Sequence, residues 1–169
     1  TTGWLREEES LFLSINVIGV GRKSGKTSLI QGLVRELTKR NFRVSTIKHI
    51  FEGTFDTSHK DTWEHLHAGS YPVIAMSPTE LVTIKGIDNP SLDEAIKEVP
   101  AEVDVVLVEG FKESRDQKII VARTLDEVNE LMKVADRVIA ISGPVASKKG
   151  RPNAFRDIPI LELGELVPL

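Results

Sequence analysis

Residues 15–29 read Ile15-Asn16-Val17-Ile18-Gly19-Val20-Gly21-Arg22-Lys23-Ser24-Gly25-Lys26-Thr27-Ser28-Leu29. A largely apolar run enters a glycine-rich loop that ends in Gly25-Lys26-Thr27 and opens a helical pattern. Strand, loop and helix in that order are what a phosphate-binding loop requires. The glycines let the backbone curl so that several amides point at one anion, which makes Gly21, Arg22, Lys23, Ser24, Gly25, Lys26, Thr27 and Ser28 the candidate nucleotide-binding residues. Lys26 then reaches the β- and γ-phosphates, and the Thr27 hydroxyl is placed to ligate Mg²⁺. The helix that starts at Lys26 turns its positive dipole end toward the same place. The strict pattern wants glycine five residues before Gly25, where Val20 stands between Gly19 and Gly21.

Bulk properties agree with a nucleotide-binding domain and exclude other classes. The chain has 169 residues, enough for a full core, and a formal net charge of −3. That balance gives no case for a nucleic acid or a membrane surface as partner. No apolar run approaches the roughly 18–20 residues of a membrane helix. With no cysteine there is no disulfide framework, as suits a cytoplasmic protein. Residues 1–10, with Glu7, Glu8 and Glu9 in a row, read as an N-terminal arm outside a single nucleotide-binding domain over 11–169.

Periodicity supplies the remaining elements. Leu29, Ile30, Leu33, Val34 and Leu37 form one face of a helix over 25–40, and Asn41 suits a left-handed exit. Strands are predicted at 11–18, 42–47, 103–108, 118–122 and 137–141, the third an almost unbroken apolar run of the kind buried on both faces. Capping boxes predict helices after Ser58 (with Asp61), Ser91 (with Glu94) and Thr124 (with Glu127). Segments 71–77 and 80–85 read as a hairpin, and 158–163 as a last edge strand. The whole is an α/β, three-layer phosphate-loop NTPase fold with a mostly parallel sheet that the hairpin makes mixed. The segment 143–157 reads as a long loop, the place for reading a base by position.

In such sheets ligands bind beyond the carboxyl ends of the strands. The strand over 103–108 ends at Glu109, placed to support Mg²⁺ or orient an attacking water. Asp61 could reach the metal or a water from the connection after the second strand, or serve only as its helix's capping acid. Lys48 and His49 end the second strand. His49, His59, His65 and His67 suggest a metal cluster only superficially, because residues two apart do not share a helix face.

Taken together, Thr46-Ile47-Lys48-His49, Lys60-Asp61-Thr62-Trp63, Ala68-Gly69, Leu107-Val108-Glu109-Gly110-Phe111-Lys112 and Lys118-Ile119-Ile120 resemble the molybdopterin-guanine dinucleotide biosynthesis protein B (MobB) family. The resemblance spans roughly 14–123. It departs at Phe51 and Glu52, where a second histidine is common, and at His59, where glycine is common. It implies a GTP-binding protein that hydrolyses GTP slowly, forms homodimers, and works beside the guanylyltransferase that attaches GMP to molybdopterin. By that resemblance Lys26, Thr27, Asp61 and Glu109 take nucleotide–metal roles, and Lys48 and His49 become site residues. Rival readings are an ATP-dependent small-molecule kinase, with Arg151 and Arg156 as lid candidates, and a nucleotide-switched adaptor or metallochaperone.

Overall fold

The computed structural model describes residues 12–21 and 23–166. The predicted arm over 1–10 and the loop residue Arg22 lie outside the described residues. The described chain falls into two compact units, one built from residues up to His49 and from Ala95 onward, the other from Ile50–Glu94.

The first unit carries a five-stranded sheet of β1 (Leu13–Gly19), β2 (Val44–Lys48), β5 (Val105–Glu109), β6 (Gln117–Val121) and β7 (Val138–Ser142). Their order across the sheet is β2-β5-β1-β6-β7, and every pairing is parallel. Parallel strands need crossovers that cover both faces, so these strands are apolar on both sides. On one face Val17, Leu107, Ile119 and Val121 pack with Leu29, Ile30 and Leu33 of α1 (Lys26–Lys39). On the other, Ile18, Ile120 and Ile141 pack with Val128 and Leu131 of α4 (Leu125–Leu131). Each such side chain, once buried, contributes about 1.5–3 kcal/mol. The chain therefore has the predicted α/β three-layer architecture.

Local chemistry explains the helix ends. Arg40 and Asn41 close α1, with Phe42 N–H bonding Leu37 O and Asn41 at φ 65°. This is the left-handed exit predicted for Asn41. Thr124 caps α4 by accepting from the Glu127 amide at 3.2 Å, and the Glu127 carboxylate accepts from the Arg123 amide at 2.8 Å. Ser91 likewise accepts from the Glu94 amide at the start of α3 (Leu92–Ile96). Gly32 sits mid-helix, at a cost of about 1 kcal/mol. A side chain there would collide with Leu163 of the short α5 (Leu163–Leu166), so closeness explains the glycine.

The second unit holds α2 (Asp61–His67) and a hairpin of β3 (Val73–Met76) and β4 (Leu81–Ile84). Two expectations are corrected here. The hairpin forms its own antiparallel pair, so the five-stranded sheet is wholly parallel. The Ser58–Asp61 capping box does not form: Lys60 is the N-cap, and no side chain caps the helix. Near the C-terminus, β8 (Ala154–Phe155) and β9 (Ile158–Pro159) make a minimal hairpin, and Ile160 alone bridges to Ile141. The edge strand predicted over 158–163 is thus two paired residues and a bridge, followed by a helical turn.

Candidate functional site

The strand order assembles the site. β5 lies between β2 and β1, and its last residue, Glu109, is in register with Lys48 on one side and Val17 on the other. β1 runs two residues further, to Gly19, and delivers the loop. Lys48, Glu109 and the phosphate loop therefore stand in a row along the carboxyl edge of the sheet, where open α/β folds bind ligands.

The loop itself is tightly specified. A Cβ on Gly19 would lie 2.8 Å from the Val121 carbonyl and 2.7 Å from the Ser24 hydroxyl. Only glycine lets the buried Ser24 sit there. Ser24 Oγ in turn accepts a hydrogen bond from Lys26 Nζ at 2.9 Å, and Gly21 O accepts another at 2.8 Å. Lys26 is thus folded over the loop that precedes it. Gly25 is the N-cap of α1 at φ 101°, no side chain caps the helix, and no acid occupies its first turn. Its first amides are left for an anion. Val20 causes no break in the motif: Gly19 provides the close approach and Gly21, at φ 62°, the left-handed turn.

Across from the loop, Thr27 Oγ1 donates to Glu109 Oε2 at 3.2 Å. Lys48 Nζ donates to Glu109 Oε1 at 3.1 Å. The Lys48 side chain is 54% exposed and that of Glu109 only 15%. So exposed an ion pair contributes at most about 1 kcal/mol to stability, and its importance is the charge it places. A hydroxyl and a carboxylate in contact are the hard oxygen donors that suit Mg²⁺.

The His49 amide donates to Glu109 O at 2.9 Å, and its ring stacks on Phe111 with centroids 4.3 Å apart. Partial burial pulls the Lys26 pKa below the ordinary lysine value; Glu109 opposes this, while Lys112 and Lys48 add to it. Lys112 was missed in the sequence reading. Its signal was the Phe111-Lys112 pair directly after Glu109.

Of the other predicted site residues, Lys23 and Ser28 are exposed on the loop and first helical turn, with Lys23 at φ 63°. Asp61 is the first residue of α2 in the second unit and is exposed. In the same unit His59 adopts φ 64°, the left-handed conformation that glycine takes most readily. His67 stacks on Trp63 at 3.6 Å. Among the described residues no group of three or more His, Cys, Asp or Glu is placed to hold a metal. Arg151 Nη2 donates to Glu165 at 3.2 Å and Arg156 Nη2 to Asn129 at 3.0 Å, so both lid candidates are engaged within their own unit.

The chain matches known proteins in sequence and in fold. The family model described as molybdopterin guanine dinucleotide synthesis protein B matches residues 15–143. The molybdopterin-guanine dinucleotide biosynthesis adapter protein of Haemophilus influenzae is 34% identical over 122 residues, which cover 70% of this chain and 68% of that protein. The fold is shared with the crystal structure of a MobB protein homolog from Bacillus stearothermophilus, at TM-score 0.66 and 22% identity over 92% of both chains. It is shared equally with Bacillus subtilis MobB, at TM-score 0.68 and 23% identity over 93% of both.

Proposed function

This chain belongs to the molybdopterin guanine dinucleotide synthesis protein B family, and we propose that it is a GTP-binding, weakly GTP-hydrolysing adapter in molybdenum cofactor biosynthesis. It acts where molybdopterin is converted to its guanine dinucleotide, beside the guanylyltransferase. The observation that carries the nucleotide reading is the uncapped N-terminus of α1 with Lys26 bonded back to Gly21 O and Ser24 Oγ.

Loop and first-turn amides over 21–28 hold the phosphates, and the Lys26 ammonium exchanges its loop acceptors for phosphate oxygens. Bound Mg²⁺ supplies charge neutralisation at the β- and γ-phosphates. Thr27 and Glu109 are the residues that would hold it. Lys48 and Lys112 add positive charge beside the triphosphate, and His49 completes the site next to Glu109. The cations named here are lysines, and rapid hydrolysis in this fold class usually draws on an arginine finger from the same or a partner chain. A slow intrinsic rate suits an adapter. The family resemblance and the exposed apolar hairpin of the second unit support a homodimer.

Calorimetric titration of GTP and ATP with Mg²⁺, on the native chain and on Lys26→Ala, tests the reading. GTP should bind in preference to ATP. Lys26→Ala should lose about 10–100-fold in affinity, the worth of charge-assisted bonds to phosphate. Failure of both nucleotides to bind overturns the nucleotide reading, and preference for ATP overturns the assignment to GTP.

A further inference from the structure

Two polar side chains are sealed inside the parallel sheet. Asn16 of β1 and Lys118 of β6 are each 0% exposed, and they are register partners on neighbouring strands. By alternation they share the face that carries Ile18 and Ile120. Apolar side chains would fill such positions without desolvating an ammonium, so two polar groups there call for a reason.

Their partners supply one. Asn16 Nδ2 donates to Phe111 O at 2.8 Å and to Ser114 Oγ at 3.0 Å. Lys118 Nζ donates to Ser114 O at 2.5 Å, Asp116 O at 3.2 Å and Asp136 Oδ1 at 2.7 Å. All three ammonium donors are used. Four of these five bonds end on one stretch, residues 111–116, which joins Glu109 to β6.

That stretch is not one the chain would adopt unaided. Gly110 sits at φ 111° and Phe111, which has a Cβ, at φ 46°. A left-handed phenylalanine persists only where its surroundings hold it. What the stretch carries lies beside the candidate site: Phe111 stacks on His49, whose amide donates to Glu109 O.

We propose that Lys118 and Asn16 are positioning residues, a buried clamp that holds residues 110–116 so that Phe111 stays stacked on His49 beside Glu109. The inference deepens the nucleotide reading above and rests on it. Neither residue touches the nucleotide. Their effect passes through the segment they grip.

A double-mutant cycle on the full chain tests this. Lys118→Met should weaken GTP binding with Mg²⁺ by about tenfold, as the Phe111–His49 stack beside Glu109 loosens. In a Phe111→Ala background the same change should cost little more, because the group being positioned is already gone. The His49 imidazole resonances, displaced by the Phe111 ring, should move toward unstacked positions in Lys118→Met, and amides over 111–116 should exchange faster. Additive losses with unmoved His49 resonances would overturn the clamp. Should Lys118→Met fail to fold, Asp136→Ala removes one clamp partner from the surface and should move the same resonances in the same direction. If the native chain binds no GTP, the functional proposal falls, and unaltered His49 resonances and exchange rates then decide against the clamp on their own.

Discussion

Glu109 shows how one carboxylate can be set for a metal by its neighbours. It is nearly buried, yet both oxygens are served, one by the Thr27 hydroxyl and the other by Lys48. Glu109→Gln keeps the shape and removes the charge. If Glu109 supports Mg²⁺, the variant should lose about tenfold or more of the Mg²⁺-dependent gain in GTP affinity. Without Mg²⁺ it should bind GTP no worse than the native chain, because a negative charge near the phosphates has gone. Titrations with Mg²⁺ and with a chelator separate the two. Equal losses in both would exclude a metal role. A second residue-scale expectation concerns acid. Hydrogen bonds from Lys118, Arg43 and Arg123 hold Asp136, Asp104 and Glu127 below the ordinary carboxylate range. A depressed carboxylate stabilises the fold at neutral pH, and that contribution is lost as the pH falls through its folded value. The melting temperature should therefore stay level near neutrality and drop below about pH 4. Asp136→Asn should flatten part of that drop, and an unchanged acid slope would show that the Lys118 pairing contributes nothing there.

At the scale of elements, periodic patterns were legible wherever burial repeats along the chain. The face of α1, the apolar run into Glu109 and the Thr124–Glu127 box all appear where spacing put them. The order β2-β5-β1 was not legible, because register between distant strands leaves no mark in local sequence; yet that order is what sets Lys48, Glu109 and the loop in a row. The Ser58–Asp61 pattern misled for a similar reason. A capping box records local preference, and at this helix Lys60 N-caps while His59 turns left-handed. Asn16 and Lys118 were overlooked as site residues because one polar residue in a strand usually marks a solvated position. Only the folded sheet shows both at 0% exposure, bonded to the segment after Glu109. The legible part of the site was the part whose chemistry is contiguous: Gly25-Lys26-Thr27 and Glu109-Gly110-Phe111-Lys112.

At the scale of the molecule, the second unit carries an exposed apolar face. In the β3–β4 hairpin Ile74 pairs with Thr83 and Met76 with Leu81, so these side chains share a face. Ile74 is 64% exposed, Met76 81% and Leu81 66%. A two-stranded hairpin is marginal alone in water, and an uncovered apolar face makes it more so. The proposed homodimer would cover it with a second copy. A two-fold interface presents the same patch twice, so a single substitution is felt on both sides. Met76→Lys or Leu81→Lys should then raise the dimer dissociation constant by about 100-fold or more, since each copy loses an apolar contact worth roughly 1.5 kcal/mol and gains a charge to desolvate. Sedimentation equilibrium across a concentration series reads this directly. GTP affinity in the same variants should stay within about twofold, because Lys26, Thr27 and Glu109 all belong to the other unit. A native chain that sediments as a monomer at every concentration would refute the dimer. A dimer indifferent to both substitutions would place its interface elsewhere and leave the hairpin face to a different partner.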